Sequence, residues 1–345
     1  MTIEFNEISY LTDPSPDILK ADHQQFLLSI CGPVVIDITG KDTSRTRVIT
    51  TLIHGNEPSG IIALHRYLTK RTKTKPVTNL RFVICSVEAA QATPMFSNRY
   101  LENGLDLNRC FGTSLNSGYH QRADLICKVI NEVKPEVVID IHNTSGSSPA
   151  FSVSIMKNEM ALSLTSLFCH SLILSEIKLG ALMEQDFGCE AITIECGGRD
   201  DTQAHETAFI GISKLALLDD IRYCHYDNDV MTYLSPLRLQ LNKHVPLAYA
   251  NTDEGEPGVT LVSNIEQHNF GLVHKGQMLG WLDNNGLDNL LLLNSYSDNI
   301  VEHYFTLREN QLVAKIDLHM FMATKSITIA KNDCLCYLVA HKNVM

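Results

Sequence analysis

A histidine and a glutamate stand three positions apart where an apolar run of the sequence ends. The run "RVITTLI" covers residues 47–53, and His54 and Glu57 follow it. An imidazole nitrogen and a carboxylate oxygen are both good ligands for zinc. In open α/β sheets, ligands collect at the carboxyl ends of strands, where loops leave the sheet. The two side chains could therefore converge on one ion, although a His-x-x-Glu spacing alone is unspecific.

A second histidine follows another apolar run and offers a third ligand. His142 comes directly after "EVVIDI", residues 136–141, so it too would point from the carboxyl edge of the sheet. Three protein ligands with an open position for water are typical of a catalytic zinc site rather than a structural one. Asp140 would face the same side as His142 and could instead orient a ligand.

A hydrolytic zinc site also needs a group that takes a proton from water and returns it to the leaving amine. Glu195 is the candidate because it closes the apolar run "AITIE" and is followed, after Cys196, by two glycines that allow a tight turn. A carboxylate at the end of so apolar a run is costly unless it is hydrogen-bonded, paired or used in chemistry. The alternative is a helix or turn cap.

Two arginines and an asparagine lie in a stretch with little helical periodicity, "MFSNRYLENGLDLNRCFG", residues 95–112. Arg99, Asn108 and Arg109 are placed there, and the stretch reads as a loop. The planar guanidinium binds both oxygens of a carboxylate and also suits an oxyanion. A solvated surface charge is the alternative for each arginine.

The elements that must position these residues alternate between strand and helix from about residue 45 to 225. Near-continuously apolar runs rich in Val, Ile and Thr predict strands buried on both faces, and stretches with apolar residues at helical spacing lie between them. This alternation predicts a three-layer α/β domain on a largely parallel or mixed sheet. The predicted strands cover residues 47–53, 80–87, 136–141, 150–156 and 191–196, and the predicted helices cover residues 58–72, 119–133 and 203–221.

The alternation of strand-like and helix-like segments stops after about residue 228. Short strand-like pieces are punctuated there by Gly, Asn and Asp, including "KSITIAKNDCLCYLVAH" at residues 325–341. We therefore predict two domains. Residues 1–228 would form the α/β domain with the candidate site, and residues 229–345 a smaller β-rich domain that could cap it.

Composition narrows the choice of partners. The 345 residues carry 28 basic and 39 acidic side chains, a formal charge of −11, and no basic cluster lines a predicted face. A nucleic-acid or anionic-membrane partner is therefore not expected, and no segment approaches the roughly 20 apolar residues of a membrane-spanning helix. Small molecules or peptides are the expected partners, and a homo-oligomer is compatible with the sequence.

The N-terminus lacks the basic start and continuous apolar stretch of a secretion signal. Ten cysteines are spread singly through the chain, and we interpret them as reduced thiols of a cytoplasmic protein. Cys334 and Cys336 alternate with apolar residues as in a strand. A two-cysteine contribution to a zinc site is the less favoured interpretation of that pair.

With these residues assembled, the chain resembles the succinylglutamate desuccinylase and aspartoacylase family, within the wider zinc carboxypeptidase fold group. The motifs "HGNE", "NRY…DLNRCF", "DIHNTSG" and "ITIECGG" follow one another in that family's order through about residues 45–210. Each motif is weak alone, but the four in order are specific. The β-rich C-terminal segment also agrees with the family's second domain.

The resemblance implies one zinc ion per chain, held by His54, Glu57 and His142. It implies that Glu195 acts as general base and then acid, and that Arg99 polarises the scissile carbonyl. The implied reaction is hydrolysis of an N-acyl amino acid to a carboxylate and a free amine. Zinc is favoured by the ligand types, but cobalt, manganese or nickel could occupy the same ligands in a purified sample.

The resemblance further implies that Asn108 and Arg109 hold a carboxylate of the substrate and that Asn143 lines the site. One departure concerns an arginine that grips the aspartate side chain in aspartoacylases, about ten residues before the catalytic glutamate. Here Gln185 stands at that distance, between Glu184 and Asp186. These acids would repel an anionic side chain, so N-acetylaspartate is not the expected substrate.

Two other functions fit the same residues. A metallocarboxypeptidase that removes a C-terminal residue from a peptide would use the same metal ligands and base. A non-catalytic zinc or small-ligand binder could keep the fold, but it would have no need of Glu195. The acyl group and the amino acid of the substrate stay open at this point.

Overall fold

The computed structural model describes residues 3–70, 75–113, 115–221 and 230–345. The chain forms two compact units, Met1–Asn143 with Ala150–Val230, and Thr144–Pro149 with Met231–Met345. The predicted domain boundary at residue 228 falls within 222–229, outside the described residues, so it stays a prediction.

The first unit is built on a mixed sheet, as predicted. Its strands lie in the order β1-β2-β4-β3-β5-β8-β6-β7. Neighbours β3 and β5 are parallel, whereas β2 with β4 and β6 with β8 are antiparallel. The strands are β1 (Ser9–Thr12), β2 (Val34–Ile38), β3 (Asp42–Thr51), β4 (Thr78–Ile84), β5 (Val137–Thr144), β6 (Phe151–Ser154), β7 (Ser171–Leu174) and β8 (Glu190–Gly198).

Helices cover both faces of this sheet. Alternate residues of β5 show this. Ile139 belongs to one hydrophobic core together with residues of the helices at 59–70, 159–168 and 202–217, while Val138 belongs to another core together with residues of the helix at 118–131. Each large aliphatic side chain buried in these layers contributes about 1.5–3 kcal/mol. The prediction of a three-layer α/β domain is therefore confirmed. The helices are α1 (Pro16–Leu19), α2 (His23–Leu28), α3 (Ser59–Lys70), α4 (Val87–Gln91), α5 (Gly118–Asn131), α6 (Glu159–Phe168) and α7 (Thr202–Leu217), with short 3₁₀ turns at Leu107–Arg109 and Leu182–Glu184.

The second unit is rich in β-structure, as predicted. It contains two five-stranded sheets, ordered β13-β18-β19-β10-β15 and β11-β12-β14-β17-β16. Its elements are β9 (Met231–Leu234), β10 (Leu237–Leu241), β11 (Leu247–Ala250), β12 (Val259–Val262), β13 (Leu272–Val273), β14 (Met278–Leu282), β15 (Leu290–Leu292), α8 (Val301–Tyr304), β16 (Phe305–Arg308), β17 (Gln311–Ala314), β18 (Leu318–Phe321), α9 (Ile327–Asn332) and β19 (Cys336–Ala340), with 3₁₀ turns at Ile265–His268, Gly286–Asn289 and His341–Asn343.

Three details of the predicted elements are wrong. The strand predicted over residues 80–87 ends at Ile84, and Val87 begins α4. The first strand of the candidate site ends at Thr51, and Leu52 has a φ of 53° that turns the chain out of the strand. Within the strand-like piece at residues 325–341, the β-branched residues that begin at Ile327 form the helix α9 instead of a strand. The Ser326 side chain caps this helix by accepting a hydrogen bond from the Ile329 amide. Capping outweighs strand propensity there.

No disulfide joins any of the nine cysteines among the described residues, and Cys224 lies outside them. Within the same ranges, no helix has both the length and the hydropathy needed to cross a lipid bilayer.

Candidate metal centre and active site

Two adjacent parallel strands bring the predicted histidines together. Strands β3 and β5 pair with Thr51 opposite Ile141, so their carboxyl ends lie at one edge of the sheet. His54 lies three residues after the end of β3, and His142 lies two residues before the end of β5. The two ring centroids are 5.0 Å apart. The structure therefore brings the two histidines together at this edge of the sheet.

Glu57 lies between the two rings. Its Oε1 is 2.8 Å from Nδ1 of His54, and its Oε2 is 2.7 Å from Nδ1 of His142. All three side chains are buried, and each offers one ligand atom within 4.8 Å of the others. Among the described residues, this is the one group of three such side chains that could hold a metal ion.

The outer nitrogen of each ring faces a carboxylate. Nε2 of His54 is 2.8 Å from Oδ1 of Asp106, and Nε2 of His142 is 2.6 Å from Oδ2 of Asp140. The hydroxyl of Thr50 donates to the other oxygen of Asp140 at 2.6 Å. With a cation bound, each ring would keep its proton on Nε2, so that both Nδ1 lone pairs would face the ion. The donor set of two imidazole nitrogens and one carboxylate therefore fits zinc.

The sequence predicted Asp140 in this orienting position and missed Asp106. Asp106 also caps the 3₁₀ turn Leu107–Arg109 by accepting from the Asn108 amide at 2.9 Å. An aspartate just before a short helical turn is a sequence signal for an N-cap. This signal does not predict the contact of Asp106 with His54, which lies 52 positions away.

The charges in the cluster depend on one another. Burial favours the neutral carboxyl of Glu57, but attraction to His54 and His142 outweighs burial and holds the pKa of Glu57 well below its usual range. Burial likewise opposes charge on His142, whereas Asp140 and Glu57 raise the pKa of His142 well above its usual value. The carboxylates of Glu57 and Asp140 therefore stabilise a positive charge between them, which is what a cation-binding site requires.

Glu195 lies near the end of β8, paired with Phe151 of β6. Its Oε2 is buried and makes no hydrogen bond to the described residues. Burial raises the pKa of Glu195 to about 7, with Glu57 adding to the rise and His142 opposing it. A carboxyl group with this pKa can both accept and give up a proton near neutrality.

Arg99 forms hydrogen bonds with two of the carboxylates that contact His54 and His142, those of Glu57 and Asp106. Its Nη1 donates to Glu57 Oε1 at 3.2 Å, and its Nε donates to Asp106 Oδ2 at 3.0 Å. Its carbonyl oxygen accepts from the Gly55 amide at 2.9 Å. The loop that carries Arg99 is therefore fastened to the turn that carries His54 and Glu57.

Asn108 and Arg109 follow Asp106 directly. The Asn108 side chain is buried, and its Oδ1 accepts from the Leu182 amide at 3.0 Å. Arg109 Nη1 donates to the Asn108 carbonyl at 2.9 Å. Asn108 thus joins its turn to the one at Leu182–Glu184, and the predicted role of both residues in binding a carboxylate stays a prediction.

Asn143 is buried beside His142, and its side-chain amide is engaged within the protein. Oδ1 accepts from the Ser59 amide at 3.0 Å, and Nδ2 donates to Ser59 Oγ at 2.8 Å and to the Gly197 carbonyl at 2.9 Å. Its predicted contact with substrate stays a prediction.

The segment before β8 holds its polar groups in local hydrogen bonds. Glu184 accepts from the amides of Leu179 and Gly180, and Gln185 Nε2 donates to the Ala181 carbonyl at 3.3 Å. Asp186 accepts from the Gly188 amide at 2.9 Å. The carboxylates of Glu184 and Asp186 are thus held by backbone amides.

Comparison with known proteins agrees with this arrangement. Residues 44–212 match a model of the succinylglutamate desuccinylase/aspartoacylase catalytic domain, which confirms the family resemblance. The matched stretch contains His54, Glu57, His142 and Glu195. No curated protein sequence matches the chain.

Solved structures share the fold at low sequence identity. The succinylglutamate desuccinylase from Vibrio cholerae is 12% identical, with a TM-score of 0.60 over 94% of this chain and 98% of that one. The one from Vibrio parahaemolyticus is 15% identical, with a TM-score of 0.59 over 93% and 95% of the two chains. Murine aminoacylase 3 is 14% identical, with a TM-score of 0.51 over 87% and 96%. At these identities the likeness is one of fold.

Proposed function

We propose that this protein is a zinc-dependent hydrolase that cleaves the amide bond of an N-acyl amino acid, because residues 44–212 match the catalytic-domain model of the succinylglutamate desuccinylase/aspartoacylase family. The observation that carries the proposal is the buried group of His54, Glu57 and His142, with both Nδ1 atoms turned to Glu57. A family match alone would leave open whether this chain keeps a metal site.

His54, Glu57 and His142 would hold one zinc ion per chain, with Asp106 and Asp140 fixing the two rings from outside. When bound, zinc supplies a Lewis acid that polarises a carbonyl and lowers the pKa of water to about 7. The ligand set would supply this chemistry beside Glu195, whose pKa responds to the charges of His142 and Glu57.

Glu195 would accept a proton from the attacking water and pass it to the nitrogen of the leaving amine. The C–O bond forms at the acyl carbon, the C–N bond breaks, and the acyl group leaves as a carboxylate. A pKa of about 7 suits both proton transfers. The buried Oε2, which makes no hydrogen bond to the described residues, is available for this work.

Arg99 would stabilise the oxyanion that develops on the scissile carbonyl. In the structure its guanidinium bonds Glu57 and Asp106, so it already lies at the metal cluster. Asn108 and Arg109 would hold a carboxylate of the substrate through N–H donors, and Asn143 would stand beside the ligands. The neutral Gln185 between Glu184 and Asp186 disfavours an acidic substrate side chain.

The proposal is tested by a panel of N-acylated amino acids with varied acyl groups and side chains, incubated with the zinc-loaded protein. We expect zinc-dependent release of free amino acid, with little activity on longer peptides. Efficient trimming of longer peptides would favour the metallocarboxypeptidase alternative. Stoichiometric zinc with no turnover of either substrate class would favour a non-catalytic binder.

A further inference from the structure

The side-chain amide of Asn143 joins three segments that each carry a candidate site residue. Ser59, which bonds both ends of the amide, lies two residues after Glu57 at the start of α3. Gly197, whose carbonyl accepts from Nδ2, lies two residues after Glu195 at the end of β8. Asn143 itself follows His142, and its backbone N–H donates to Glu57 Oε2 at 3.2 Å.

A histidine on another helix extends these contacts. Nδ1 of His205, on α7, is 2.8 Å from Oγ of Ser59. Ser59 is fully buried, and its Oγ already accepts a hydrogen bond from Asn143. The hydroxyl proton therefore needs an acceptor, and His205 Nδ1 is the one that the described residues provide. This bond requires Nδ1 without a proton, so His205 carries its ring proton on Nε2.

We propose that His205, Ser59 and Asn143 form a positioning network that fixes Glu195 relative to the metal ligands. The catalytic consequence rests on the function proposed above, whereas the network itself rests on the hydrogen bonds. His205 and Ser59 act through Asn143, and Asn143 acts through Gly197 and the start of α3. In this network the Asn143 amide orients the protein rather than the substrate.

Loss of His205 would leave the Ser59 hydroxyl buried without an acceptor. The hydroxyl would then rotate and disturb the Asn143 amide, and with it the bond to the Gly197 carbonyl next to the active-site strand end. Displacement of a catalytic group by about 1 Å can lower a rate on the order of a hundredfold. A partial displacement transmitted through two side chains should have a smaller effect.

The kinetic test compares His205→Leu with His205→Asn in the zinc-loaded full chain. We expect kcat to fall about tenfold in His205→Leu with KM within about twofold, because the base is used in the transition state and not in ground-state binding. Asn places a carbonyl oxygen near the position of Nδ1 and should restore most of kcat. A raised KM with unchanged kcat would contradict the assignment, as would equal kcat in both variants and wild type.

His65→Leu is the matched control. His65 is a buried histidine of the first unit, on α3, with Nε2 3.0 Å from the Leu19 carbonyl, whereas His205 is half-buried. Its replacement should lower the stability of the fold and leave kcat and KM of the folded protein unchanged. This control separates loss of a hydrogen-bonded histidine from loss of the network.

A spectroscopic readout tests the network without any substrate. The ¹³C shift of the Gly197 carbonyl should change in His205→Leu and in Ser59→Ala, and should stay constant in His65→Leu. An unchanged Gly197 shift in His205→Leu would overturn the network. If wild type hydrolyses no N-acyl amino acid while these shifts respond as stated, the proposed function fails and the network stands.

Discussion

Oδ2 of Asp140 lies 2.6 Å from Nε2 of His142, and both side chains are buried in the same strand. The carboxylate holds the ring so that Nδ1 points to Glu57. Because Asp140 also accepts from Thr50, its own position is fixed from the neighbouring strand. The candidate metal site is thus positioned by residues of two neighbouring strands of the sheet.

Replacement of Asp140 should weaken zinc binding. In Asp140→Asn a neutral amide faces Nε2, so the ring loses its charged acceptor and becomes a poorer ligand. We expect zinc affinity to fall about 10- to 100-fold in competition with a chelating dye. Asp124→Asn, at an exposed position of α5, is the control and should bind zinc as wild type does. Equal affinity in both variants would refute the orienting role.

Replacement of Glu195 should remove turnover and leave the metal. Glu195→Gln keeps the shape of the side chain but cannot shuttle a proton, so we expect kcat to fall by about 10²- to 10⁴-fold. Zinc content should stay near one per chain by mass spectrometry. Glu190→Gln is the matched control, because Glu190 lies in the same strand and bonds Ser154 and Asn158 instead. Undiminished turnover in Glu195→Gln would rule out Glu195 as the base.

Ionisation of Glu195 should destabilise the metal-free protein as pH rises. Its pKa is about 7 in the folded chain against 4.5 for the ordinary group. The folded state therefore binds this proton more tightly, and its contribution to stability is lost between these two pH values. Glu195→Gln lacks this loss and should gain stability relative to wild type, on the order of 1–3 kcal/mol. Urea unfolding at about pH 5 and about pH 8 measures the difference, and a pH-independent difference would contradict the burial of this carboxyl.

Arg109 should govern substrate affinity. Arg109→Lys keeps the charge and loses the planar pair of donors, so we expect KM to rise about tenfold with a smaller change in kcat. Arg308→Lys, at an exposed position of β16, is the control. An unchanged KM would remove Arg109 from the carboxylate site.

The sequence was sufficient to predict the residues that end long buried strands. His54, His142 and Glu195 each follow or close a run whose continuous apolar character indicates burial on both faces. Parallel pairing of β3 with β5 then brings the two histidines together. Strands β1, β2 and β7 were not predicted. The residues of β1 are mostly exposed, so β1 lacks the continuous apolar run that marked the predicted strands. Asp106 escaped it because a polar loop residue has no periodicity and its partner is distant in sequence.

Roles inside the site were harder to predict than positions. The family resemblance implied that Asn143 lines the site, but its bonding to Ser59 and Gly197 depends on how three segments meet. The link from Ser59 to His205 joins residues 146 positions apart, so no local pattern contains it.

We expect His54, Glu57 and His142 to bind one zinc ion. The decisive measurement is anomalous diffraction at the zinc edge from crystals of the zinc-loaded protein. A single strong peak per chain should lie within bonding distance of Nδ1 of both histidines and of the Glu57 carboxylate. A peak bound elsewhere, or none between these three side chains, would contradict it.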